Sequence, residues 1–187
     1  MKKIKKPKII NVKTVAYSKL FKIQSVDLIF NNGKHRVYER IKSSNLETVI
    51  IVPVINNHLI LIQEYAVSLE DYTLGFPKGL INSGESIQEA ANRELKEEIG
   101  FGSTKLEIVG KLTIAPSYLY SINNIVLAED LYEKKLQGDE PEFMIKHQWP
   151  IDKMMKLLTE PSFCEARNVS ALFLIRESLI KKGRINY

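Results

Sequence analysis

The chain has 187 residues, 44% of them hydrophobic, which suits one domain with a substantial core and leaves no room for a second catalytic domain. Its net charge of +5 is concentrated at the start: MKKIKKPK carries five lysines and no acid, and the remaining 22 basic residues balance 22 acidic ones, which argues against a nucleic-acid surface. The single cysteine, Cys164, forbids an intrachain disulfide; no stretch approaches the length of a membrane helix, and the lysine-rich start lacks the apolar run of a signal peptide. The expectation is a cytoplasmic protein that binds neither membrane nor nucleic acid.

Residues 1–8 read as a disordered basic tail, 9–45 as a β-rich segment and 46–187 as the main domain. Residues 20–30 alternate in polarity, Asn31-Asn32-Gly33 turns, and 35–42 run back, so an antiparallel hairpin is predicted there. Two β-rich runs, 48–55 and 59–65, flank Asn56-Asn57. A further run, 72–76, leads into a loop with Phe76-Pro77-Lys78-Gly79 and Asn82-Ser83-Gly84, where glycines and a rigid proline surround a lysine and backbone N–H groups can approach an anion. A helix follows. Ser86 caps it, Glu89 completes the capping box, and Gly100 supplies the left-handed stop after Ile99. Strands are predicted near 105–115 and 123–128. The acidic loop QGDEPE, a run ending at Trp149, and helices over 151–158 and 167–181 complete an α/β (α+β type) domain.

The helix carries an electrostatic misfit. Ile87, Ala90, Ala91, Leu95 and Ile99 form its apolar stripe, and Glu94, Glu97 and Glu98 lie within or beside that stripe instead of opposite it. They also sit at the C-terminal end, where the helix dipole disfavours anions. At an effective dielectric near 20, two carboxylates about 6 Å apart repel by roughly 3 kcal/mol. A solvated acidic face fits such placement badly, and a hard divalent cation with oxygen ligands resolves it. Metal beside a phosphate-binding loop is the implied pairing.

Gly79, Glu85 and Arg93-Glu94-Leu95-x-Glu97-Glu98-x-Gly100-Phe101, separated by five and seven residues, match every fixed position of the Nudix box, with an accidental match in a chain of this length on the order of 1 in 10 million. The chain therefore resembles the Nudix hydrolases, and from about residue 6 to 185 it is similar to the branch acting on ADP-linked compounds, through NVKTVAYSKLF, RVYER, LILIQEYAV, APSY, QGDEPE and EARNVSALFLIRE.

The resemblance implies a mixed β-sheet sandwiched between helices, a homodimer formed with help from the N-terminal strands, and Mg²⁺, with Mn²⁺ as the alternative. It implies hydrolysis of ADP-ribose, NADH and diadenosine di- or triphosphates at the diphosphate, releasing AMP. Glu94, Glu97 and Glu98 become metal ligands, Glu97 and Glu98 being catalytic as well, and the Lys78 backbone carbonyl a further ligand. Gly79, Glu85, Arg93 and Gly100 hold the geometry. Glu140, then Glu142, is the candidate general base; a box glutamate in that role is the alternative. Many ADP-ribose hydrolases carry Glu-Leu-Pro-Ala-Gly where this chain has Gly75-Phe76-Pro77-Lys78-Gly79, so Lys78 is expected to meet a phosphate. Arg40, Tyr38 and Tyr118 are expected around adenosine. A nucleotide-sensing module without catalysis is the contrasting reading, and retention of all the box glutamates argues against it.

Overall fold

The computed structural model describes residues 4–138 and 141–186, with the backbone alone for 43–46. The chain forms two compact units, Met1–Leu46 with Thr113–Ile122, and Glu47–Leu112 with Asn123–Tyr187.

The first unit is an antiparallel meander of β1 (Lys8–Tyr17), β2 (Lys22–Ile29) and the first part of β3 (His35–Ile55). The predicted hairpin is β2–β3, turning at Asn32 and Gly33, where φ is +77° and the Phe30 and Lys34 backbones close the turn. Strand β1 lies in the segment expected to be β-rich over 9–45 but was not delineated as a strand of its own. All ten of its residues are exposed, so no buried face imposes the alternation that marks a half-buried strand. Of the predicted 1–8 tail, residues 1–3 lie outside the described residues, and Lys8 already belongs to β1. The segment 113–122 joins this unit through the Ile41 N–H, which donates to the Tyr118 carbonyl at 2.7 Å.

In the second unit β3 continues to Ile55 and turns at Asn56 and Asn57, both with positive φ, into β4 (His58–Ala66). Strands β5 (Asp71–Gly75) and β9 (Ile145–Pro150) flank β4; the short β6 (Lys78–Leu80) pairs with β3, as β8 (Leu119–Glu133) does, and β7 (Phe101–Leu112) pairs with β8. Alternation along β3 divides the core in two. Ile50 and Val52 face one way, with Leu59 and Leu61, toward α2 (Ala166–Lys181); Val49 and Ile51 face the other way, with Ile60 and Ile62, toward α1 (Ile87–Glu94). Helices therefore cover both faces of the sheet, and the expected fold class holds.

Two helical segments differ from expectation. The predicted single helix over 87–99 ends as a π turn, Leu95–Ile99, closed by the Gly100 N–H on the Leu95 carbonyl. Partners outside the helix hold this wider turn: the Leu136 N–H donates to the Lys96 carbonyl and Lys146 Nζ to that of Ile99. The segment Ile151–Thr159 is a 3₁₀ helix. With three residues per turn, Ile151, Met154 and Leu157 fall on one line, and all three are buried. Leu157→Ala is expected to cost about 2–5 kcal/mol in urea unfolding, whereas Leu158→Ala, at a half-exposed neighbour off that line, stays below about 1 kcal/mol.

Candidate active site

The loop between β5 and α1 and the end of that helix form the acidic wall of a cleft of about 770 Å³. Ser86 caps α1 through its hydroxyl, which accepts from the Glu89 N–H, while the Glu89 carboxylate accepts from the Ser86 N–H; both halves of the predicted capping box are present. Gly100 has φ +77° as the stop requires. Between these ends the helix directs Glu94, Glu97 and Glu98 toward the cleft, Glu94 and Glu98 being buried and Glu97 partly so.

Arg93 organises the wall. Its Nε donates to Glu85 Oε1 at 2.9 Å and Nη2 to Glu85 Oε2 at 3.1 Å and to the Leu80 carbonyl at 2.8 Å. Its Nη1 donates to Glu94 Oε1 at 2.6 Å and to Glu97 Oε2 at 2.9 Å. One guanidinium thus meets three carboxylates, Glu85 on the loop and two of the three helix glutamates. The Arg93 hydrogen bonds hold the Glu85 carboxyl below its usual range, against the opposing effect of burial, and the Asn82 N–H adds to the lowering. The Arg93 guanidinium is pushed correspondingly higher, first by Glu85 and then by Glu94 and Glu97.

Glu98 is held differently. Its Oε2 accepts from the Lys78 N–H at 2.9 Å, which ties the end of the helix to β6. Gly79 follows, packed so closely on Glu94 that a Cβ there would lie 1.9 Å from Glu94 Oε1. A side chain at this position would displace the Glu94 carboxylate.

Among the described residues, no three acidic, histidine or cysteine side chains converge as a group able to hold a metal ion. Arg93 Nη1 stands bonded to both Glu94 and Glu97. The three glutamates share the cleft without forming a closed cluster.

The Lys78 ammonium pairs with Glu64 of β4, so the predicted phosphate contact is occupied by a carboxylate on the same cleft wall. Of the acidic loop, Gln137 and Gly138 line the cleft. Glu140, the first candidate base, lies outside the described residues. Glu142 lines a smaller pocket of about 220 Å³ that also includes Glu97 and Glu98, and accepts from the Tyr72 hydroxyl at 2.9 and 3.0 Å. That hydrogen bond pushes the Tyr72 phenol up. Arg40, Tyr38 and Tyr118 belong to the first unit and come together around a pocket of about 660 Å³ there, with Arg40 Nε donating to Gln24 Oε1 at 3.0 Å.

Three residues were missed by sequence reasoning. Glu64 and Arg167 line the cleft, and buried Asn168 supports it by accepting the Phe76 N–H at 3.0 Å. A Cβ at Gly75 would lie 2.5 Å from Asn168 Nδ2, so a glycine at this position admits α2. Each of these contacts joins elements far apart in sequence, and no local spacing announces them.

Comparison with known proteins agrees with this architecture. The NUDIX domain profile matches residues 45–157, and the profile of the NudE-type Nudix hydrolase N-terminal domain matches 7–40. The chain belongs to the Nudix hydrolase family. It is 59% identical to the ADP compounds hydrolase NudE of Escherichia coli (strain K12), across 98% of this chain and 99% of that protein. It is 27% identical to the ADP-ribose pyrophosphatase of Bacillus subtilis (strain 168), across 86% and 90% respectively. A crystal structure of an ADP compounds hydrolase superposes with a TM-score of 0.93 at 59% identity, covering 98% of this chain and all of that one.

The triple pairing of Arg93 makes stability depend on pH. Glu85 has a folded pKa below its unfolded value, so its contribution is present above the usual carboxylate pKa, about 4.3, and is lost as pH falls through the lower folded value. Arg93→Gln is expected to lower unfolding free energy by about 2–4 kcal/mol near neutral pH, because it leaves three partly buried carboxylates together. The deficit relative to the parent should shrink below about pH 4, as followed by denaturant titration across pH.

Proposed function

We propose that the protein hydrolyses the diphosphate bond of ADP-linked compounds, ADP-ribose, NADH and diadenosine di- or triphosphates, releasing AMP with Mg²⁺ as the working metal and Mn²⁺ as a substitute. The observation that carries this reading is that Glu94, Glu97 and Glu98 all line one cleft beside the Lys78-Gly79 strand. The two relatives, an ADP compounds hydrolase and an ADP-ribose pyrophosphatase, support the substrate class.

The donor set fits a hard divalent ion. Glu94, Glu97 and Glu98 offer carboxylate oxygens, and the Lys78 carbonyl, next to the closely packed Gly79, would add a neutral one. A bound Mg²⁺ would neutralise diphosphate charge and lower the pKa of an attacking water. Arg93 holds Glu94 and Glu97 while Glu85 holds Arg93, so these two residues set carboxylate orientation and take no part in the chemistry. Lys78 engages a substrate phosphate by exchanging its Glu64 partner for a phosphoryl oxygen. Glu140 remains the proposed base, with Glu142 second; Glu142 would first have to leave the Tyr72 hydroxyl. Arg40, Tyr38 and Tyr118 hold the adenosine by stacking and hydrogen bonding.

The same reading includes a cytoplasmic homodimer. Strand β1 pairs with β2 alone among the described residues, and it exposes Ile9, Ile10, Val12 and Val15, which suits a subunit contact. No helix is long and apolar enough to cross a membrane among the described residues.

Glu98→Gln keeps an oxygen to accept the Lys78 N–H but removes the charge. AMP release from ADP-ribose in Mg²⁺ should fall by about 100-fold or more while circular dichroism and melting temperature stay close to the parent. Undiminished turnover would remove Glu98 from the site.

A further inference from the structure

Resting on that reading of the cleft, we infer that Arg167, in the first turn of α2, is a substrate-binding residue that takes the diphosphate of an ADP-linked compound. It lines the same cleft as Glu64, Lys78, Glu94, Glu97 and Glu98. The cleft has three basic side chains, and they differ in what they have left to give. Arg93 spends all three guanidinium nitrogens on Glu85, Glu94, Glu97 and the Leu80 carbonyl. Lys78 is paired with Glu64. Arg167 meets Glu165 alone, with Nε and Nη2 on the same oxygen, Oε1. Among the described residues its Nη1 has no protein partner, so the guanidinium keeps open donors in the fixed fork that matches phosphoryl oxygens.

The guanidinium is also aimed. Glu165 Oε2 accepts from Asn168 Nδ2 at 2.8 Å, and Asn168 is 2% exposed, with its Oδ1 taken by the Phe76 N–H. The carboxylate that holds Arg167 is therefore fixed to the strand end that leads to Lys78 and Gly79. Far along the chain, α2 is anchored again where Lys182 and Arg184 pair with buried Glu129, so the helix cannot easily swing the side chain away.

A purely structural role accounts poorly for this position. The first turn of α2 contains no acid, Glu165 makes no side-chain cap, and a cation near a helix N-terminus opposes the macrodipole. A residue selected to stabilise this turn would be an acid or a hydroxyl. Arginine there is accounted for by an anion arriving from the cleft.

The test compares the parent with Arg167→Gln, Arg167→Lys and, as a control, Arg176→Gln, whose side chain pairs with Glu177 on the same helix. Two readouts are taken on the full chain: KM and kcat for ADP-ribose in Mg²⁺, and binding of ADP by calorimetry without metal. Arg167→Gln is expected to raise KM and the ADP dissociation constant by about tenfold, with kcat and melting temperature little changed. Arg167→Lys should fall between, because an ammonium keeps the charge but loses the fork. Arg176→Gln should match the parent.

A lower melting temperature in Arg167→Gln with unchanged KM and ADP binding would overturn the inference and leave Arg167 as a helix anchor. If the parent turns over no ADP-linked compound but binds ADP, and Arg167→Gln weakens that binding, the catalytic reading fails while Arg167 keeps its assignment. A parent that neither turns over nor binds ADP would overturn both.

Discussion

One guanidinium bound to three carboxylates holds the cleft together. Arg93 reaches Glu85 on the loop before α1 and Glu94 and Glu97 at the helix end, so its charge cancels repulsion that would otherwise unwind the turn. Such a cluster is tolerable in a partly buried place because the arginine compensates the carboxylates it gathers. Glu85 itself accepts from the Asn82 N–H and so links the loop to the helix. Remove the arginine, and the loop, the helix end and the orientation of two glutamates lose their common reference.

The cleft combines stiffness and exchange. Glu94 is pressed against Gly79, and Glu98 is fixed by the Lys78 N–H. Those contacts are backbone-based and rigid. The Lys78 side chain, by contrast, is held by a partly exposed carboxylate, Glu64, an arrangement that solvent screening keeps weak. The acidic wall is therefore rigid, while the Lys78 ammonium beside it rests on a partner that can be exchanged without unfolding anything.

How far the sequence foretold this depends on the range of the interactions. The capping box of Ser86 and Glu89 and the left-handed Gly100 were legible because each is complete within four residues. So were the β2–β3 hairpin and the two β-rich runs that form the later part of β3 and β4. The π turn was not, since its wider ring is held by Leu136 and Lys146, which sequence places well beyond the helix. The 3₁₀ period of Ile151, Met154 and Leu157 was visible as a spacing of three but reads equally as part of an α-helical stripe. Strand β1 was hidden by its exposure on both faces. In the cleft, the box residues were evident, whereas Glu64, Arg167 and Asn168 depend on contacts between β4, α2 and the loop that no local pattern encodes.

The backbone between Gly75 and Gly79 has one further property. Its N–H groups are assigned to different masters: Phe76 donates to Asn168 at the start of α2, Lys78 donates to Glu98 at the end of the acidic helix, and Pro77, having none, separates them. The two amides are therefore neighbouring probes of unlike events. A change in the charge or position of Glu98 would be registered in the Lys78 amide resonance, and a shift of α2 in that of Phe76, so that a spectroscopist could distinguish an electrostatic change in the cleft from a mechanical one by comparing two peaks two residues apart.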